Sequence, residues 1–167
     1  MQRVRLVELR LDEELWQRGS DARRLEWSGA IRDFVETAKL ELDVVDAPDE
    51  AKSHLQHATN GLQLVLHAPA NATDLVAIAI PRQRLSPMVD EYAQICAELI
   101  RPGHAPPRLE ALDIAKRLVH DEAGEVLQAL TPPLHLDHQT ARRLFTLIVT
   151  VLVDTTALTI RPHLKKA

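Results

Sequence analysis

At 167 residues the chain has room for one self-sufficient hydrophobic core. Its 46% apolar and 26% charged residues are ordinary globular usage and exclude a disordered polymer. A formal net charge of −4 argues against a general phosphate-backbone binder, and 3% aromatic residues leave little surface for stacking bases, so nucleic acid is not an expected partner.

The first element expected is a strand over Val4–Leu11, where Val7, Leu9 and Leu11 alternate with Glu8 and Arg10. Asp12–Gly19 is polar and ends in Gly-Ser-Asp, so Ser20 or Asp21 can cap a helix. Trp27, Ile31, Phe34 and Ala38 then share one helical face. Leu40, Leu42 and Val44 alternate with acids and read as a second strand. Pro48 with Asp49 and Glu50 could open a helix, but Asn60-Gly61 followed by Leu62, Leu64 and Leu66 favours a hairpin of Lys52–Ala58 with Leu62–His67 through a type I′ turn. Leu75–Ile80 adds another strand after the loop Pro69–Thr73, giving an antiparallel meander.

Helices follow. Ser86-Pro87 reads as a cap with a first-turn proline, and Met88, Tyr92, Ile95 and Leu99 form a stripe that Arg101-Pro102-Gly103 ends. Pro106-Pro107 starts the next helix, with Leu109, Leu112, Ala115, Leu118 and Val119 along it and a candidate break at Gly124. Thr131-Pro132-Pro133 is a rigid linker. Asp137 caps a last helix with Ala141, Leu144, Phe145, Ile148 and Leu152 inward, although its Thr/Val-rich end also suits a strand. The expectation is an α+β fold: an antiparallel sheet from the N-terminal half packed against helices, mostly from the C-terminal half, in one domain over residues 1–160 with a basic flexible tail over 161–167.

Cys96 is the only cysteine, so no internal disulfide is available, and its apolar stripe predicts a buried core thiol. Met1–Leu11 lacks the apolar core of an export signal, and Leu144–Val153 is too short to span a bilayer, so the cytoplasm is the expected compartment and no membrane partner is expected.

Several runs stand out together: Arg5-Leu6-Val7-Glu8, Glu26 with Ala30-Ile31-Arg32-Asp33-Phe34, Glu110-Ala111-Leu112-Asp113 and His120-Asp121-Glu122. The most specific is Thr140-Ala141-Arg142-Arg143-Leu144-Phe145-Thr146-Leu147. Taken in this order they resemble an uncharacterised alphaproteobacterial protein family of unknown function. The resemblance runs from about Val4 to Leu152. It implies a coherent fold and carries no activity, and Ala123 stands where members tend to carry glycine.

Three constellations could carry chemistry. Glu110, Asp113, Arg117 and His120 fall along one helical face with Glu122 nearby; His120 and Glu122 are the candidate catalytic pair, against a reading as ion pairs and a helix-end cap. Arg142 and Arg143 near a helix N-terminus oppose its dipole and call for a carboxylate such as Glu110 or Asp113, or for a bound anion; with Arg117 they are the candidate ligand-binding residues. His135-x-Asp137-His138 and His54-x-x-His57 have ligand types but not a full site, so no metal is expected. No phosphate loop, nucleophile elbow or dinucleotide fingerprint occurs, so no cofactor is expected either. Biochemical function stays unknown at this level. A non-enzymatic binding or regulatory protein, acting on a protein partner or as a homodimer, is the preferred reading. A small enzyme or anion-binding protein with a small anionic ligand is the alternative.

Overall fold

The computed structural model describes residues 1–70 and 73–154. The expected basic tail and the Asn71-Ala72 part of the loop lie outside the described residues. The elements in chain order are β1 (Gln2–Leu11), α1 (Glu13–Arg18), α2 (Asp21–Thr37), β2 (Leu40–Leu42), β3 (Glu50–Ala58), β4 (Gly61–His67), β5 (Asp74–Pro81), α3 (Arg82–Ile100), α4 (Pro106–Leu130), β6 (Leu134–Leu136) and α5 (His138–Leu152).

The six strands form one sheet in the order β5-β4-β3-β1-β2-β6, with helices packed on it, so the α+β class holds. The sheet is mixed rather than antiparallel, because β1 and β3 run parallel. Alternation along a strand specifies which face is buried and says nothing about the neighbour's direction. The hairpin expected at Asn60 forms, with Ala58 opposite Gly61. Its turn residues are therefore Thr59 and Asn60, one position earlier than a type I′ turn centred on Asn60-Gly61. Gly61 has φ +156°, and a Cβ there would stand 2.3 Å from the Ile80 carbonyl oxygen. Glycine is needed for that close approach.

Register aligns the apolar side chains into rows. Leu11, Leu55, Leu64 and Ile78 are successive cross-strand neighbours, and so are Val4, Leu40 and Leu136. All seven are buried. A bulge between Leu6 and Glu8 lets β1 serve both rows. Before it the even positions Val4 and Leu6 are buried; after it the odd positions Leu9 and Leu11 are. Val7, expected inward, is the extra residue and is only half-buried.

Asp12–Arg18, read as merely polar, forms the short α1, with the Asp12 carboxylate accepting from the Glu14 N–H at 3.2 Å. Ser20 caps α2 as expected. Helix α3 begins at Arg82, a turn before the expected Ser86-Pro87 start and directly off β5, with the Arg82 N–H bonded to the Asn60 carbonyl at 2.7 Å. Helix α4 does not break at Gly124, and α5 stays helical to Leu152. Strand β6 follows the Pro132-Pro133 link and pairs with β2, an element too short to show a period.

Helix α5 is the centre of the helical layer: Ala141, Leu144, Phe145, Leu147, Ile148, Val149 and Val151 are all buried. It packs against α2 on one side and α4 on the other. Two of its last carbonyls, which no helical N–H can reach, are taken by α2: Trp27 Nε1–H donates to Thr150 O at 2.9 Å and Arg23 to Val151 O at 2.9 Å. No helix among the described residues is long and apolar enough to cross a membrane.

Candidate functional site

Helices α4 and α5 pack tightly at Gly124, where a Cβ would lie 3.1 Å from Arg142 Cγ and 3.2 Å from His138 Cε1. The absent side chain lets α5 lie against α4. Beside this contact is an open cleft of about 510 Å³. Helix α4 contributes Asp113, Lys116, Arg117 and His120 to its lining; α5 contributes Gln139, Arg142, Arg143 and Thr146.

The spacing explains the lining. Asp113, Lys116, Arg117 and His120 recur at intervals of three and four residues, which keeps them on one side of α4. Gln139, Arg142, Arg143 and Thr146 do the same on α5, on the side that its apolar stripe leaves free.

His120 is held from three directions. Its Nδ1–H donates to the Lys116 carbonyl at 2.9 Å, and Nε2 lies 3.1 Å from Thr146 Oγ1. The rings of Tyr92 and Phe145 meet it edge to face at 5.0 Å and 5.6 Å. Burial lowers its pKa below the ordinary histidine value, and the charges of Arg142 and Lys116 push the same way, against the Lys116 carbonyl and Asp121. The neutral ring, with its proton on Nδ1, offers Nε2 as an acceptor, and the Thr146 hydroxyl can donate to it. Behind it, burial and then the neighbouring Cys96 raise the Tyr92 phenol. Cys96 itself is half-buried rather than sealed in the core.

Arg142 finds a carboxylate in Asp121, with Nε 3.2 Å from Oδ1, and Asp121 also meets His138 Nε2 at 3.3 Å. Neither Glu110 nor Asp113, the partners expected from sequence, makes that pair. Arg142 Nε is buried and misaligned for a hydrogen bond to Asp121, so the pair is a charge contact. Among the described residues Arg117 and Arg143 have no ion pair within 4.0 Å, and Lys116 lies 5.8 Å over the Tyr92 ring. At the start of α5 the Asp137 carboxylate accepts from the Thr140 N–H at 2.8 Å. Burial raises its pKa, but hydrogen bonding from the Thr140 side chain and N–H, together with Lys39 and Arg143, outweighs burial and leaves it below the usual carboxylate value.

Of the expected residues, His120, Arg117, Arg142 and Arg143 line one cleft, whereas Glu122 is exposed and does not line it. Lys116, Gln139, Thr146 and Asp121 were not singled out from sequence. Lys116 and Thr146 carried a usable signal, each standing four residues from an expected site residue on the same helix. The histidine pairs do not assemble: His54 and His57, three apart in β3, fall on opposite faces, and His135 lies in β6 while His138 pairs with Asp121. Among the described residues no group of three or more metal-ligating side chains converges.

Comparison with known proteins follows the same fold unit. Residues 3–154 match the model of an uncharacterised protein family, UPF0262. A UPF0262 protein of Bradyrhizobium sp. (strain ORS 278) is 32% identical over 148 residues, covering 86% of this chain and 87% of its own. UPF0262 proteins of Nitrobacter winogradskyi and Phenylobacterium zucineum are each 33% identical, covering 87% and 88% of this chain and 88% and 92% of theirs. No solved structure matches. These relatives carry a family label and no named activity, in keeping with the resemblance seen in the sequence. With the family model spanning nearly all of the described fold and curated relatives matching over most of their length, the chain belongs to the uncharacterised protein family UPF0262.

Proposed function

We propose that this protein binds a small anionic ligand in the cleft between α4 and α5. The observation that carries the reading is the lining itself: Lys116, Arg117, Arg142 and Arg143 face one space with Asp113 as the single carboxylate there. Clustered cations repel one another, and a bound anion with charge-assisted hydrogen bonds relieves that cost. Gln139 adds a neutral amide donor at the same wall. Acid–base catalysis by His120 with Glu122 has less support, since the carboxylate stands outside the cleft and the imidazole is tied to Lys116 and Thr146.

Differential scanning fluorimetry with sulfate, phosphate and citrate, each matched in ionic strength with chloride, tests the proposal. The three anions raise the melting temperature of the wild type above the chloride control, and Lys116→Gln, which takes one inner cation from the lining, loses most of that rise. Equal shifts in both proteins, or none beyond chloride, remove the reading.

A second reading, self-association, rests on Ile114 and Leu118, one turn apart on α4 and 45% and 62% exposed. A monomeric mass by light scattering at high micromolar concentration rules it out.

A further inference from the structure

Resting on the anion-binding reading, we infer that the ligand of the α4–α5 cleft is a compact polyanion with two charged groups and no apolar body, of the pyrophosphate or bisphosphate class. The first ground is what the lining lacks. The side chains facing the cleft are all charged or polar, and the His120 imidazole is the one ring among them; Tyr92 and Phe145 stand behind His120 and do not line it. Ligands with a substantial apolar or aromatic part are held mostly by apolar and aromatic surface, with a few polar groups for orientation. Here no Phe, Tyr, Trp or aliphatic side chain lines the space, so a base, an acyl chain or an aromatic ring would find only the His120 ring and the stems of the long cations to cover it.

The second ground is how the charges are arranged. Each wall carries two consecutive cations, Lys116-Arg117 on α4 and Arg142-Arg143 on α5. Consecutive helical residues project about 100° apart, so each pair straddles its wall instead of pointing at one spot. Burial sorts them into two depths: Lys116 and Arg142 are half-buried, and Arg117 and Arg143 are exposed. The inner pair already has partial company, Lys116 over Tyr92 and Arg142 beside Asp121. The outer pair has no ion pair among the described residues. One orthophosphate can satisfy one depth. A two-centred anion meets both, placing one group between Lys116 and Arg142 and the other between Arg117 and Arg143. Neutral His120 spends its one N–H on the Lys116 carbonyl and its Nε2 takes the single Thr146 proton, so neither supplies a donor to the ligand and the inner group is held by Lys116 and Arg142.

Isothermal titration calorimetry on the full chain, without divalent metal and at fixed ionic strength, compares inorganic pyrophosphate, orthophosphate and adenosine diphosphate. Pyrophosphate is expected to bind at least about tenfold more tightly than orthophosphate, the gain that additional charge-assisted contacts supply. Arg117→Gln and Arg143→Gln should each remove most of that advantage and leave orthophosphate within about twofold of wild type, because the outer residues meet only the second group. Equal affinity for pyrophosphate and orthophosphate overturns the two-group inference and leaves anion binding standing. Adenosine diphosphate binding about tenfold or more tightly than pyrophosphate also overturns it, by showing that the cleft reads an apolar body. No heat from any of the three, together with no anion-specific thermal shift, removes both readings.

Discussion

His120 Nε2 and Thr146 Oγ1 lie 3.1 Å apart, a hydrogen bond that crosses from α4 to α5 at the wall of the cationic cleft. The Thr146 hydroxyl is also 3.2 Å from the Arg142 carbonyl. A hydroxyl has one proton to give. With neutral His120 it can be given to Nε2; with charged His120 the imidazole donates instead and the hydroxyl turns to Arg142. The charge state of one ring therefore selects which of the two helices receives the Thr146 proton.

Acidification should weaken the fold through this ring. Burial and the nearby cations hold the folded pKa of His120 below its unfolded value of about 6.5. A depressed pKa means that the unfolded chain takes up the proton first, so stability is complete above the unfolded value and falls as pH drops towards the folded one. Urea unfolding at pH 7.5 and 5.5 should show a lower midpoint at pH 5.5, and His120→Gln should narrow that gap. An unchanged gap in the variant would assign the loss to other histidines.

Asp137 governs a different pH window. Replacing it with alanine removes the acceptor for the Thr140 N–H at the start of α5 and should cost about 0.5–2 kcal/mol at neutral pH, with Asp137→Ser costing less. Its folded pKa is depressed, so its contribution is present above the unfolded carboxylate value of about 3.9 and is lost as pH falls through the folded value. The wild-type and alanine proteins should converge in stability as denaturation curves are taken below about pH 4.

Trp27→Phe tests the tie between α2 and α5. The indole is 2% exposed and its N–H serves the Thr150 carbonyl. Losing the donor and part of the ring should destabilise by about 1–3 kcal/mol, read as a lower urea midpoint with unchanged m-value.

Gly61→Ala separates collision from backbone strain when set beside Gly103→Ala. Both glycines have positive φ, at +156° and +90°. An added Cβ at Gly61 meets the Ile80 carbonyl oxygen at 2.3 Å and the Arg82 nitrogen at 2.6 Å, both main-chain atoms, whereas Gly103 opens onto empty space. Gly103→Ala should cost about 1–2 kcal/mol, and Gly61→Ala on the order of 3 kcal/mol with slower formation of the β3–β4–β5 ladder. Equal costs would mean that the turn gives way.

Much of this architecture was legible because it rests on periods. Trp27 and Phe34 on α2, Leu62, Leu64 and Leu66 on β4, and the Asp137 cap all stand where spacing put them. The parallel pairing of β1 with β3 was not legible, since alternation is the same for either direction. Nor was β6, whose three residues carry no period. In the cleft, Arg117, His120, Arg142 and Arg143 were visible as reactive types at helical spacing. Asp121 was hidden, because its pairing with Arg142 depends on how closely α5 lies against Gly124, and that distance belongs to tertiary packing.

The extra residue in the first strand makes chain length there as consequential as chemistry. Val4 and Leu6 answer to one parity and Leu9 and Leu11 to the other, and Val7 is the switch between them. Excising Val7 would give a smoother ladder on paper while turning one of those two pairs outward, so a single-residue deletion should unfold the protein where Val7→Ala is tolerated. Drift within this stretch can exchange side chains freely and can hardly afford a gap, a constraint that a search for indels among relatives can read directly.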